Sequence, residues 1–377
     1  MGVKNITANL LLFICSLGIS LLTIEAVLPF LHIQGVERHV FLHRMPVVQY
    51  MYGKFHPILG NTLQQNIESA HISYKNYTDY TFRTNQYGFR GGDWDRSKNR
   101  KNIVVLGDSF AFGWGVEEQE MFSTLLANRL RKSDPAFQVL NMAQSGYFLD
   151  QIVNTFDLYA RQFDPVLIIY LYCYNDPYQF PPEVNGRFDI ASFRKNISES
   201  VWLEEARRNN VNVRRVERFL RGSYVFAFYK NYLAPNFFTE KESPRRAWKE
   251  RYACTYKDLL PPTPPAGPVT LNTVAQRYIW YCLEQLDKQS GHKPLVLMDT
   301  SDKMILHLPD RQKADRWILR DFARQHDNVF FADFESELRR RNDGIPRFLD
   351  VDDHWNPEGH RLAAAMLGEI LDKKLNL

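Results

Sequence analysis

The sequence predicts an α/β protein: a three-layer α/β/α sandwich on a five-stranded parallel sheet of flavodoxin-like type, with an N-terminal transmembrane helix and a largely helical insertion. Three observations predict it. From residue 102 onward, short apolar runs alternate with segments of helical period. Those runs are apolar on both faces, as strands buried between two helix layers must be. Residues 6–24 hold no charge, and about 20 such residues span a bilayer as a helix.

Taken in order, the uncharged segment comes first. Lys4 precedes it and Glu25 follows, which favours an N-terminus in the cytoplasm and the remainder outside. No small-x-small cleavage site follows at once, so an uncleaved anchor is favoured over a removed signal peptide. Cys15 follows Ile14 rather than a small residue, which argues against a lipoprotein box. Residues 32–100 show no clear period, but 74–85 alternates like a hairpin arm before Gly88, Gly91 and Gly92 break it. This stretch reads as a lead-in packed on the main domain.

Ile103–Leu106 is the first buried strand. Glu120–Lys132 has helical spacing, with Phe122, Leu125, Leu126 and Leu130 on one face. Phe137–Met142 is a second strand, Asp150–Gln162 a helix and Val166–Tyr172 a third strand. Helices over 271–289 and 310–325 precede strands at Pro294–Met298 and Asn328–Phe331. Asn356 can cap the last helix and Pro357 suits its first turn. Leu362, Met366, Leu367, Ile370 and Leu371 form its buried face. The expected organisation is therefore an anchor over 1–31, a lead-in over 32–100, a catalytic domain in two parts over 101–183 and 269–377, and an inserted lid or subdomain over 184–268.

The insertion is basic. Between Arg194 and Lys257 there are 15 Lys/Arg and 7 Asp/Glu, a local +8. Val213, Val216, Phe219, Leu220, Val225 and Phe228 suggest an amphipathic helix, and Pro-Pro-Thr-Pro-Pro-Ala-Gly-Pro (261–268) a stiff linker. The charge reads either as a solvated face or as a surface for anionic lipid or an acidic polymer.

Composition narrows the function. The chain has 377 residues, 45% hydrophobic, with a net charge of only +4. That charge, and the lack of any zinc-finger or helix-turn-helix signature, argue against nucleic acid as a partner. None of the four cysteines, at 15, 173, 254 and 282, lies in a CxxC pair, so a structural zinc is not expected. The spacing leaves a Cys254–Cys282 disulfide open without favouring it.

The chemistry sits at the strand ends, where open α/β sheets bind ligands. Gly107-Asp108-Ser109 follows the first strand and precedes a helix, so nearby amides can face an oxyanion. A serine hydroxyl needs a base, and the base needs a carboxylate to orient it. His354 and Asp352 offer both. In an extended loop residues i and i+2 point the same way. Gly146, after strand two, can bring its amide close to a carbonyl. Asn175, after strand three, offers a side-chain donor; together these make an oxyanion hole. Asp350 and Asp353 are weaker candidates for the acid.

These four blocks, in this order, resemble the SGNH hydrolases, also called the GDSL esterase superfamily, over roughly 100–183 and 290–377. The resemblance puts the nucleophile on Ser109, the base on His354 and the oxyanion donors on Ser109, Gly146 and Asn175. The common pattern has its aspartate three residues before the histidine, where this chain has Val351. Asp352 instead matches an Asp-x-His-Trp variant, similar to that in SGNH proteins handling O-acetyl groups on exported polysaccharides. Asn-Gln-Tyr-Gly-Phe-Arg-Gly (85–91) also looks like the stretch before the nucleophile in membrane-anchored bacterial members.

The expectation is a membrane-anchored, extracytoplasmic serine esterase acting on O-acyl, above all O-acetyl, esters of a carbohydrate or on a small ester. It needs no metal or organic cofactor. If a sugar hydroxyl rather than water resolves the acyl-enzyme, the protein is an O-acyltransferase. A third reading is a non-catalytic accessory subunit of a membrane-bound acyltransferase. An α/β-hydrolase would need GxSxG, and position 111 is Ala.

Overall fold

The computed structural model describes residues 3–33, 36–37, 39–40, 48–74, 78–193, 199–200, 202–203, 222–229, 271, 273–301, 314–341 and 343–375. The chain divides into two compact units. One comprises Met1–Pro46 with Arg208–Glu250, the other Val47–Arg207 with Arg251–Leu377.

In the smaller unit, α1 (Val3–Val27) carries the uncharged run and continues through a 3-10 turn at Leu28–Leu31. Ala8–Leu31 is long and apolar enough to cross a membrane, with a mean hydropathy of 2.3.

The larger unit opens with a helical turn at Val48–Met51 and two antiparallel hairpins. β1 (Gly53–His56) pairs with β2 (Gly60–Leu63), and β3 (Ala70–Tyr74) with β4 (Thr78–Phe82). The alternation read over 74–85 is β4, whose Thr78, Tyr80 and Phe82 point inward. The main sheet begins with β5 (Lys101–Gly107), followed by the one-turn helix α2 (Ser109–Phe112), then α3 (Phe122–Ser133) and β6 (Phe137–Asn141). α3 starts two residues later than its periodicity suggests, because Glu118–Glu120 forms a 3-10 turn. The helix expected over Asp150–Gln162 is α4 (Leu149–Thr155), which runs on as a π turn at Phe156–Ala160 and a 3-10 turn at Arg161–Phe163.

β7 (Leu167–Tyr172) precedes the small hairpin of β8 (Glu183–Val184) and β9 (Arg187–Phe188). Of the insertion's expected amphipathic helix, Val213, Val216, Phe219 and Leu220 lie outside the described residues; Val225 and Phe228 fall in the short helix α5 (Tyr224–Phe228). α6 (Val274–Ser290) opens with a capping box, Thr273 Oγ1 accepting from the Gln276 amide. β10 (Leu295–Asp299), α7 (Ala314–Gln325), β11 (Val329–Ala332), α8 (Phe334–Arg341) and α9 (Pro357–Leu375) complete the unit. Asn356 caps α9 as read from the sequence: its Oδ1 accepts from the amides of Glu358 and Gly359, each at 3.0 Å.

The five main strands lie in the order β11-β10-β7-β5-β6, all parallel. This is the flavodoxin-like order, with helices covering both faces. Val104, Leu106, Ile168, Tyr170, Leu295 and Leu297 bury together with Ile152 of α4, Phe156 of the π turn, Ile279 and Leu283 of α6, and Phe322 of α7. α3 packs against β6 and α9. Each such fully buried aliphatic side chain contributes roughly 1.5–3 kcal/mol. Cys282 is a buried free thiol inside this layer; Cys254, its partner in the disulfide left open by the sequence, lies outside the described residues.

Register decides where chemistry can gather. Gly107 pairs with Leu171, Val105 with Asn141, and Asp299 with Tyr172. The loops bearing Ser109, Gly146, Asn175 and Thr300 therefore leave the same carboxyl edge of the sheet.

Candidate active site

Ser109 is the first residue of α2, placed there by the turn at Gly107. Gly107 has φ +150°, and a Cβ on it would come within 2.8 Å of Ala111 Cβ and 2.9 Å of the Leu171 carbonyl oxygen. Glycine therefore allows β5 to end hard against α2 and β7. Asp108 caps α2, its Oδ1 accepting from the Phe110 amide at 3.0 Å. The serine is buried apart from its approach, with 8% of its surface exposed.

The late loop brings the partners. His354 Nε2 lies 2.6 Å from Ser109 Oγ, and His354 Nδ1 lies 2.5 Å from Asp352 Oδ1. The His354 amide also donates to Asp352 Oδ1, at 3.0 Å. An ionised carboxylate only accepts, so Nδ1 carries the ring proton and Nε2 is left as acceptor for the serine hydroxyl. Asp108 Oδ2 is a second acceptor for that hydroxyl, at 3.3 Å. The histidine is nearer and wins the shorter bond. Of the three aspartates near His354, Asp352 makes the ring contact.

Electrostatics follow the geometry. Burial alone would raise the Asp352 carboxyl, but the His354 charge and its two hydrogen bonds outweigh burial and hold it below its ordinary value. Burial alone would lower His354. Here the charge and hydrogen bond of Asp352, helped by Asp108, outweigh it and raise the imidazole. Behind the serine two further carboxyls are pushed up. Asp108 is raised by burial. Asp176 is raised well above its usual range by burial and then by Asp108. Tyr170 Oη donates to Asp176 Oδ2 at 2.6 Å, and the Cys173 amide to the same oxygen at 3.0 Å.

The other predicted site residues lie on the neighbouring loops. Gly146 has φ +77°, and a Cβ there would be 2.3 Å from Gln49 Nε2, which donates to the Ser145 carbonyl at 2.7 Å. Asn175 begins the 3-10 turn at Asp176–Tyr178, and its Oδ1 is buried without a hydrogen-bond partner among the described residues. Asn141 supports the floor: its Nδ2 donates to the Ala111 carbonyl at 2.7 Å, and its Oδ1 accepts from the Ala143 amide at 3.1 Å.

Several supports were not singled out from sequence. Trp355 Nε1 donates to the Thr300 carbonyl at 3.0 Å, tying the histidine loop to the end of β10. The His354 ring lies between Phe110 and Trp114, with centroids 4.8 and 5.0 Å away. Arg90 is wholly buried, and its guanidinium donates to the carbonyls of Thr81, Phe112, Gly113 and Val116, fastening the loop after α2 to β4. The Asn-Gln-Tyr-Gly-Phe-Arg-Gly run was the one signal in the sequence that could have pointed to it.

No curated protein matches the chain. Solved structures resemble it loosely. A member of the lipolytic protein G-D-S-L family from Veillonella parvula is 12% identical, with a TM-score of 0.37 over 71% of this chain and 97% of that one. The lipase/acylhydrolase from Enterococcus faecalis is 10% identical, with a TM-score of 0.42 over 73% and 96%. The acetyl xylan esterase AlAXEase is 12% identical, with a TM-score of 0.35 over 72% and 99%. The sequence profile of the GDSL-like Lipase/Acylhydrolase family matches residues 105–362, from within β5 to within α9. Because that match spans about two thirds of the sequence, the chain belongs to the GDSL-like lipase/acylhydrolase family of enzymes.

Proposed function

We propose that the protein is a membrane-anchored serine esterase that removes O-acyl groups, above all O-acetyl groups, from a cell-surface or exported carbohydrate. The observation that carries the reading is the unbroken path Ser109 Oγ–His354 Nε2, His354 Nδ1–Asp352 Oδ1, at 2.6 and 2.5 Å. Along it, Ser109 Oγ attacks the ester carbonyl while Nε2 takes its proton. The amides of Ser109 and Gly146 and the side chain of Asn175 receive the oxyanion. The proton then passes from Nε2 to the leaving alkoxide, and an acyl-enzyme remains on Ser109. Water, activated by the same histidine, releases the acid. Asp352 stays ionised and steadies the imidazolium at each stage.

In this reading the chemistry lies outside the cytoplasm, on the far side of the anchor. Lys4 on one side of the uncharged run and Glu25 on the other support that orientation. A green fluorescent protein fused at the C-terminus and exported by the general secretory route is expected to stay dark; a bright fusion overturns the orientation. The reaction is tested with an O-acetylated oligosaccharide and a short-chain aryl ester. The protein is expected to release free acetate, and Ser109→Ala to lose several hundred-fold or more of that rate. Retention of a third of the rate overturns the nucleophile. Acetate recovered on an added sugar rather than in water makes the protein a transferase.

A further inference from the structure

α1 has an acidic residue, Glu25, in its last turn. The helix dipole opposes a negative charge there, so the carboxylate needs a strong partner. It finds one about 200 residues later. Ser223 Oγ donates to Glu25 Oε2 at 2.7 Å, the Tyr224 amide to Oε1 at 3.0 Å, and the Val225 amide to Oε2 at 2.9 Å. The foot of the apolar helix is thus the N-terminal cap of α5. Around this cap Leu28, Val36, Val40, Tyr224 and Ala227 bury together, with Ile33, Val225 and Phe228 packed on them.

The same small body also leaves several large apolar groups outside. Phe30 is 79% exposed, Leu31 59%, Val27 49%, Phe226 42% and Tyr229 41%. A water-facing body with its own core has no reason to show these. Val27, Phe30 and Leu31 continue directly from α1, whose most apolar stretch is not buried within the protein. Aromatic side chains at the end of a membrane span sit at headgroup level.

We propose that the described residues of 25–40, together with 222–229, form a juxtamembrane platform. Its Phe30, Phe226 and Tyr229 side beds in the interfacial layer of a phospholipid bilayer, and it requires α1 to remain attached in the mature protein. The proposal rests on reading α1 as a membrane span; it does not depend on the esterase chemistry. It makes part of the insertion a second membrane contact, and it explains an acid at the foot of an uncharged run.

The test uses the full chain in phosphatidylcholine vesicles. Cys15 and Cys254 are replaced by alanine, and Phe226→Cys carries an environment-sensitive NBD label. Emission is expected to shift to the blue, with stronger quenching by lipids spin-labelled near the headgroup than by lipids labelled near the chain end. A label at Lys132→Cys, on the exposed side of α3, should stay water-like. Water-like emission at 226 from protein that sediments with the vesicles overturns the platform. Protein that does not sediment with them overturns the membrane span itself, and the platform with it. Glu25→Ala should leave sedimentation unchanged but speed amide exchange over 222–229 by about tenfold; unchanged exchange overturns the cap. Intact mass should include residues 1–31, and a mature chain that begins after Glu25 refutes the proposal. Aryl-ester turnover, read on the same samples, reports on the esterase reading separately.

Discussion

A histidine that accepts from a serine must be neutral, and His354 is held above its ordinary value by Asp352 and Asp108 against the opposing effect of burial. Activity that needs the neutral ring is therefore lost as pH falls through a raised pKa. The acid limb of kcat/KM is expected above about 6.5, the unperturbed histidine value. Asp352→Asn removes the charge that raises the ring, so it should move this limb to lower pH and cut kcat several hundred-fold or more. Asp350→Asn and Asp353→Asn, whose carboxyls do not make the ring contact, should cost only a few-fold. pH–rate profiles of the four proteins check this, and an Asp353→Asn variant more damaged than Asp352→Asn contradicts it. Among residues, the meeting of Ser109, His354 and Asp352 was legible because Ser109 follows an unbroken apolar strand and Asp352 stands two positions before His354. Gln49 and Asp176 were not legible. A glutamine that reaches the Ser145 carbonyl from the distant turn at Val48–Met51, and a carboxyl whose pKa is raised by burial, leave no local pattern.

At the scale of elements, the strands were read correctly because parallel strands buried on both faces form unbroken apolar runs, as β5, β7 and β10 do. α8 was missed. Phe-Glu-Ser-Glu-Leu-Arg-Arg-Arg has one apolar face only two residues wide, and its helix is held by Arg316 and Arg339 on Glu335 and by Arg340 and Arg341 on Glu337. The 150–162 helix breaks into π and 3-10 turns that hold no glycine or proline and bury Phe156 and Phe163 in the core. The loop after α2 depends on Arg90, a buried cation whose hydrogen-bond partners are carbonyls and which lies over the rings of Tyr80 and Phe112, each at 5.2 Å. Arg90→Met keeps the volume of the stem but strands these carbonyls, at about 1–3 kcal/mol for each one left without water. It is expected to lower the melting temperature clearly and to reduce kcat more than it raises KM, since Ser109 and Trp114 sit on the strands and turns it holds. An unchanged melting temperature contradicts that role.

Across the whole molecule, one buried group links catalytic-domain stability to pH. His360 accepts from the Phe122 amide at 3.3 Å and is lowered to about 3, first by burial and then by the charges of Arg90 and His354. The unfolded chain protonates this histidine near 6.5, the folded chain only near 3. Between those values the unfolded state binds more protons, so stability is full above about pH 6.5 and declines as pH falls, by up to about 1.4 kcal/mol per pH unit. His360→Gln keeps an acceptor for Phe122 and does not titrate. Its urea midpoint should vary less between about pH 4 and 7 than that of the parent protein; parallel curves contradict the assignment. The order of the sheet and the convergence of four loops on one edge follow from right-handed crossovers between consecutive strands and helices, which is why the sequence pattern carried that much of the architecture.

The central claim, that Ser109 is a nucleophile activated by His354, is tested most directly by trapping it. The full-length protein is treated with a fluorophosphonate, and peptide mass spectrometry locates the adduct. The account predicts a single phosphonylated residue, Ser109, with labelling lost in Ser109→Ala and slowed by about a hundredfold or more in His354→Ala. An unlabelled protein that still hydrolyses aryl esters, or an adduct on any other serine, contradicts it.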